Sequence, residues 1–334
     1  MKVDAGLMGG LAEVPERIRE LEAAGYDGAI TAETAHDPFF PLLLAAEHSR
    51  SIELVTSIAV AFARSPMNLA NIGHDLNAYS KGRFVLGLGS QIQPHITKRF
   101  SMPWSHPAAR MRELILAMRA IWDCWYARKK LEFRGEFYTH TLMTPMFTPT
   151  DTSYGAPKVF LAAVGPLMTE VAGEVADGVI CHAFTTEKYM REVTLPALER
   201  GLAKAGRSRK DFQVSFPGFV VTGETEKSWS DSRRGVCKQI AFYGSTPAYR
   251  PVLEMHGWGG LQNELNALSK QGQWDKMGEL IDDRILEQFA VVATPDEVIP
   301  KFKARFGDVV DRTTLGFAPG SKTSARELIQ KLHA

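Results

Sequence analysis

The sequence predicts an α/β chain folded as a (β/α)8 TIM barrel, and three observations carry that prediction. Short apolar, β-rich runs alternate with amphipathic helical stretches from end to end, the rhythm of parallel βα units. The third of these runs is long and nearly all apolar, as in a strand covered on both faces. The 334 residues, 45% hydrophobic and 23% charged, suit one large barrel, so a single domain over 1–334 is expected.

Strand one is read at Val3–Leu7. The helix after it spans Val14–Ala24, with Pro15 in its first turn, where no N–H is needed, and Gly25 just past its end. Strand two is Gly28–Ala32, strand three Ile52–Val60, and strand four Arg83–Gly89 behind the turn Ser80-Lys81-Gly82. A helix over about Ala108–Trp125 puts Met111, Leu114, Ile115, Met118, Ile121, Trp122 and Trp125 on one core-packing stripe. Strands five and six are Lys158–Val164 and Gly178–His182, joined by a short helix opening at Gly165-Pro166. Strand seven covers about Phe212–Thr222, strand eight about Thr313–Phe317, and a closing helix about Ser324–Leu332. Thr294-Pro295-Asp296-Glu297 has the form of a capping box, so a helix is expected to start at Pro295. Two stretches, about 128–157 and 244–286, depart from the repeat and are read as insertions over the C-terminal mouth.

Composition narrows the function. With 39 basic and 38 acidic residues and a net charge of +1, the chain lacks the footprint of a nucleic-acid binder. No apolar run approaches a membrane span, and Met1–Leu7 lacks the core of a signal peptide. Cys124, Cys181 and Cys237 are odd in number and far apart, which argues against disulfides and zinc and suits a reducing cytosol. The expectation is a cytoplasmic protein acting on a small molecule, with no nucleic-acid or membrane partner.

Barrel enzymes keep reactive groups at the carboxyl ends of their strands. After strand two, Glu33, His36 and Asp37 lie within five positions; the competing reading is a buried ion pair at Glu33 and a helix cap at His36-Asp37. After strand four, Gly87, Gly89, Ser90 and Gln91 offer close backbone approach and uncharged hydrogen bonds. A Rossmann fingerprint is excluded, because the third glycine and the downstream acid are missing. After strand five, Ala163-Val164-Gly165-Pro166 opens a helix whose free N–H groups suit a phosphate, or forms merely a tight turn. His182 ends strand six, and none of the histidines has metal-ligand spacing, so no metal is expected. Phe39, Phe40, Phe62, Trp104 and Trp258 are candidates for an apolar pocket or for core filling.

Taken in order, these segments resemble the luciferase-like monooxygenase superfamily, in particular its coenzyme F420 (deazaflavin) dependent oxidoreductases. The pieces are Gly25-Tyr26-Asp27-Gly28, Thr56-Ser57-Ile58 with Arg64-Ser65-Pro66, and Gly82 through Ser90. Gly165-Pro166, Ala176-Asp177-Gly178 and Ala293 through Glu297 complete the series. The resemblance implies a dimeric TIM barrel with the tricyclic ring in its mouth, backed by a non-proline cis peptide matching Ser57–Ile58, and with the cofactor phosphate on the turn matching Gly165-Pro166. It implies cofactor contacts at Ser57, Ile58, Gly89, Ser90, Gln91, Ala163, Val164, Gly165 and Pro166. Sugar-phosphate dehydrogenase relatives carry an Asp-His pair where this chain has Glu33-Thr34, and an acidic Glu near the position of Ile92, so their substrate is not carried over. The run Gly89–Phe100 resembles a further group of deazaflavin oxidoreductases and places His95 and Arg99 on the rim. Glu33, His36 and His95 are therefore the candidates for the proton role in hydride transfer, with an FMN-dependent monooxygenase fed by a separate reductase as the alternative.

Overall fold

The computed structural model describes residues 1–315 and 325–334. The barrel strands are β1 (Lys2–Gly6), β2 (Gly28–Thr31), β3 (Glu53–Thr56), β4 (Phe84–Gly89), β5 (Lys158–Ala163), β6 (Gly178–Cys181), β7 (Gln213–Phe216) and β8 (Arg312–Thr313). Their order is β3-β2-β1-β8-β7-β6-β5-β4, and β3 pairs with β4, which returns the order to its start. The pairings β1–β2, β2–β3, β4–β5, β1–β8 and β7–β8 are parallel. The fold class is the (β/α)8 barrel.

Three elements differ from the sequence reading. Strand three breaks after Thr56: the Ser57–Ile58 peptide is cis, and a two-residue strand, Ala59–Val60, then pairs with β4. Strand seven breaks at Pro217-Gly218, where proline has no ladder N–H to give. Beyond the break Phe219–Val221 pairs in parallel with Ala290–Val292, and a Cβ on Gly218 would lie 2.5 Å from the Phe302 ring. The helix expected from Pro295 begins instead at Val298 and ends at Phe306. The Thr294 hydroxyl donates to the Glu297 carboxylate at 3.1 Å and the Glu297 N–H donates to the Thr294 carbonyl at 3.0 Å, which closes a turn and leaves no side-chain cap. A capping box does form at Thr225, whose side chain exchanges hydrogen bonds with Ser228 to open the helix Glu226–Gly244. The closing helix runs Ala325–His333; Gly316, Phe317 and Ser324 lie outside the described residues.

The chain divides into two compact units. One comprises Asp4–Ile180 and Ala197–Gln213. Its long helix, Pro107–Tyr126, buries the Met111–Trp125 stripe, and the Trp122 indole donates to the Ala70 carbonyl at 3.2 Å. Val55, Val85, Phe160 and Ile180 pack together from its strands. The 128–157 stretch forms a hairpin of Phe133–Arg134 with Thr139–His140. The Glu113 carboxylate ties that hairpin to the helix by accepting from the Glu136, Phe137 and Tyr138 N–H groups at 2.6–2.9 Å. A cavity of about 590 Å³ lies at the other end of the helix, lined by Cys124, Arg128, Leu131, Met143 and Thr148 among others.

The second unit comprises Met1–Val3, Cys181–Pro196 and Val214–Ala334. Its 244–286 stretch is helical, with Arg250–Glu254, Gly259–Lys270 and Trp274–Glu279 followed by Asp283–Phe289. These helices share a core with Phe184, Tyr189, Ile240, Leu253, Leu265 and Met277. Among the described residues no helix is long and apolar enough to cross a membrane.

Candidate active site

The end of strand three is clamped to strand four. The Thr56 hydroxyl donates to the Gly87 carbonyl at 2.8 Å and accepts from the Gly87 N–H at 2.9 Å. A Cβ on Gly87 would fall on the Thr56 carbonyl oxygen, and one on Gly89 would lie 2.8 Å from the Ile58 Cγ1. Both glycines are therefore demanded by the neighbouring strand, a reason that the sequence reading, which saw only ligand approach, did not supply.

Glu33 anchors the same segment. Its N–H donates to the Ile58 carbonyl at 3.0 Å, and its carboxylate, on a residue only 9% exposed, accepts from the Val60 N–H and the Arg64 guanidinium, each at 2.7 Å. Arg64 reaches Asp37 with its other nitrogen at 2.9 Å and lies 5.2 Å over the Phe39 ring. Asp37 in turn accepts from the Phe39 N–H at 2.8 Å, at the start of the helix Phe39–His48. A guanidinium shared by two carboxylates pairs charges that burial would otherwise penalise. Arg64 was missed as a site residue. The signal was a lone arginine in the apolar stretch after strand three, which needs an acidic partner.

His36 and His95 are both exposed. His95 opens a turn of π-helix, His95–Arg99, and the Arg99 guanidinium donates to the Thr34 carbonyl, tying this turn to the loop that carries His36. No hydrogen bond joins Glu33, His36 and His95 to one another among the described residues. Gln91 stands in the left-handed region at φ 59°; its side-chain oxygen accepts from the Ile92 N–H at 3.0 Å, and Ser90 donates to its carbonyl at 3.1 Å. A non-glycine residue held there stores of order 1 kcal/mol, a cost that sites for ligands often carry.

Gly165 is the N-cap of the helix Pro166–Val175, with Pro166 at its first position and no side chain capping it. The Gly165 φ is −89°, and a Cβ there would meet nothing within 4 Å. Neither backbone conformation nor packing requires glycine here, so its missing side chain keeps open space before the first helical turn, whose leading N–H groups have no acceptor within the helix. Among the candidate aromatics, Phe62 is buried against Trp104, with ring centroids 5.7 Å apart, and carries the Arg110 guanidinium at 4.7 Å; Phe40 is exposed.

In the second unit, His182 stands one residue past β6. Its Nδ1 accepts from the Phe184 N–H at 3.0 Å, and its ring lies 4.5 Å from Tyr243 and 4.6 Å from Tyr249. Burial among these rings holds the imidazole down to about 4, and burial pushes the Tyr249 phenol up to about 12. Among the described residues no three His, Cys, Asp or Glu side chains gather as metal ligands.

The family model described as luciferase-like monooxygenase matches residues 2–312. An uncharacterised protein of Mycobacterium tuberculosis is 53% identical over 330 residues, 99% of this chain and 97% of that one. The 5,10-methylenetetrahydromethanopterin reductase of Archaeoglobus fulgidus is 29% identical over 305 residues, 87% of this chain and 86% of its own. Among solved structures, the coenzyme F420 dependent tetrahydromethanopterin reductase of Methanopyrus kandleri superposes with a TM-score of 0.77 at 20% identity, covering 98% of this chain and 96% of that one.

Proposed function

The chain belongs to the luciferase-like monooxygenase family, and we propose that within it this is a coenzyme F420-dependent oxidoreductase that moves a hydride between the deazaflavin and a small organic substrate. The observation that carries the reading is Gly165, a glycine that the fold does not need, opening a helix in front of free space. Similarity to a reductase whose structure is described as F420 dependent supports the choice of cofactor.

When bound, a deazaflavin supplies a hydride at its C5. The residues that would hold it are Ser57 and Ile58 at the strand-three break, Gly89, Ser90 and Gln91 after strand four, and Ala163–Pro166 for its phosphate. Glu33 acts as a positioning residue, because its carboxylate is already engaged by Val60 and Arg64. His36 and His95, the exposed imidazoles on two loops tied through Arg99, take the proton role.

Titrating the purified protein with oxidised F420 and, separately, with FMN tests the reading. Saturable F420 binding is expected, weakened about tenfold by Gly165→Ala. Tight FMN binding with no F420 binding overturns it in favour of an FMN monooxygenase. Replacing His36 or His95 by Ala is expected to lower turnover more than cofactor affinity; an unchanged rate removes that residue from the proton role.

A further inference from the structure

We propose that His182, Tyr243 and Tyr249 form a recognition site, additional to the cofactor residues above, for a neutral, oxygen-bearing ligand, a ketone or aldehyde whose carbonyl oxygen accepts a hydrogen bond from His182 Nε2–H. His182 directly follows β6, at the strand end where barrels of this class keep their reactive groups. Because Nδ1 accepts from the Phe184 N–H at 3.0 Å, the neutral ring carries its proton on Nε2, and that atom donates.

The ring cannot swing freely. Tyr243 meets it edge-on, with planes at 82°, and Tyr249 lies across it at 37°. Tyr243 accepts from the Gln239 side chain at 3.0 Å, so its own hydroxyl proton is left to donate. Phe184 stacks on Tyr249 with centroids 5.9 Å apart, and Phe219 stands 6.4 Å from Tyr243. The cluster thus presents neutral donors on an aromatic wall. Among the described residues no lysine or arginine forms a hydrogen bond, ion pair or ring contact with His182, Tyr243 or Tyr249. A carboxylate or phosphate would lose its hydration there with no counter-charge, whereas a carbonyl oxygen needs only a donor.

Cyclohexanone is a suitable probe, with methylenecyclohexane as its counterpart of like shape and no oxygen, and cyclohexanecarboxylate as the anionic one. In protein carrying ¹⁵N-labelled histidine, cyclohexanone is expected to shift the His182 Nε2 resonance saturably. The other two compounds should need at least tenfold higher concentration for the same change. His182→Phe, which keeps a ring between the two tyrosines, should abolish cyclohexanone binding measured by saturation-transfer NMR. No shift at His182, or an equal response to methylenecyclohexane or cyclohexanecarboxylate, overturns the proposal, and this comparison stands even where the variant fails to fold. The probe titration needs no cofactor, so its failure is read separately from a failure of F420 binding.

Discussion

Acidification from pH 7.5 to 5 sets the folded and unfolded forms of this chain competing for one proton at His182. An unfolded histidine takes that proton near its ordinary value of 6.5, whereas burial among aromatic rings delays it in the folded chain to about 4. A histidine depressed in this way contributes stability above pH 6.5 and loses it as the pH falls towards 4, because the unfolded chain binds the proton first. At about 1.4 kcal/mol for each pH unit over which only the unfolded form is protonated, the loss reaches about 2 kcal/mol at pH 5 and about 3 kcal/mol at pH 4. Urea unfolding of the wild type and of His182→Phe at both pH values isolates this contribution. The variant carries a constant packing cost, but on going from pH 7.5 to 5 it should lose about 2 kcal/mol less than the wild type. His140 and His256, also lowered by burial, contribute to both proteins and cancel. Glu22, which its backbone donors Ser51, Arg50 and Ile52 hold at about 2 against the opposing effect of burial, titrates below the window. Equal losses in the two proteins would refute the account of a neutral, desolvated imidazole, as would an NMR midpoint for His182 near 6.5.

Other outcomes follow from the geometry of the first unit. Arg64→Met strands the Glu33 carboxylate between Val60 and an apolar side chain, and should cost about 3 kcal/mol or more in urea unfolding. Glu33→Gln, which keeps an acceptor for the Val60 N–H, should cost clearly less; equal losses would show that the charge pairing contributes little. Gly87→Ala forces a methyl group onto the Thr56 carbonyl and should sharply reduce the yield of folded protein, whereas Gly165→Ala, with open space before it, should leave the thermal midpoint unchanged within about 1 °C. Thr225→Ala removes the side chain that caps the Glu226–Gly244 helix and should cost about 1 kcal/mol, measured by the same unfolding assay.

The barrel was legible because each βα unit declares itself locally. The helix Val14–Ala24 was bounded correctly by Pro15 and Gly25, whose backbone preferences act at their own positions, and Gly25 does adopt φ 92°. Strands three and seven were read as continuous, since hydrophobic runs report burial and not partners. What divides Gln213–Phe216 from Phe219–Val221 is a choice between β8 and the strand Ala290–Val292, which lies about seventy residues further along the chain. The Thr294–Glu297 pattern misled for a related reason: the residue types of a capping box were present, but the backbone there makes a turn first.

The candidate site divides along the same line. Sequence by itself determined the alternation of strands and helices, the uncharged glycine turn at Gly165-Pro166 and the presence of Glu33, His36 and His95 after their strands, because short-range spacing encodes all three. Only the tertiary structure decided what those groups do. Glu33 is drawn into an ion pair by Arg64, thirty-one positions away, while Gly87 answers to the Thr56 carbonyl and Gly89 to the Ile58 side chain. His182 is kept neutral by burial against Tyr243 and Tyr249, which join it from some sixty residues downstream. Burial and pairing are properties of neighbours in space, and it is these that turn a carboxylate into an anchor and hold an imidazole neutral.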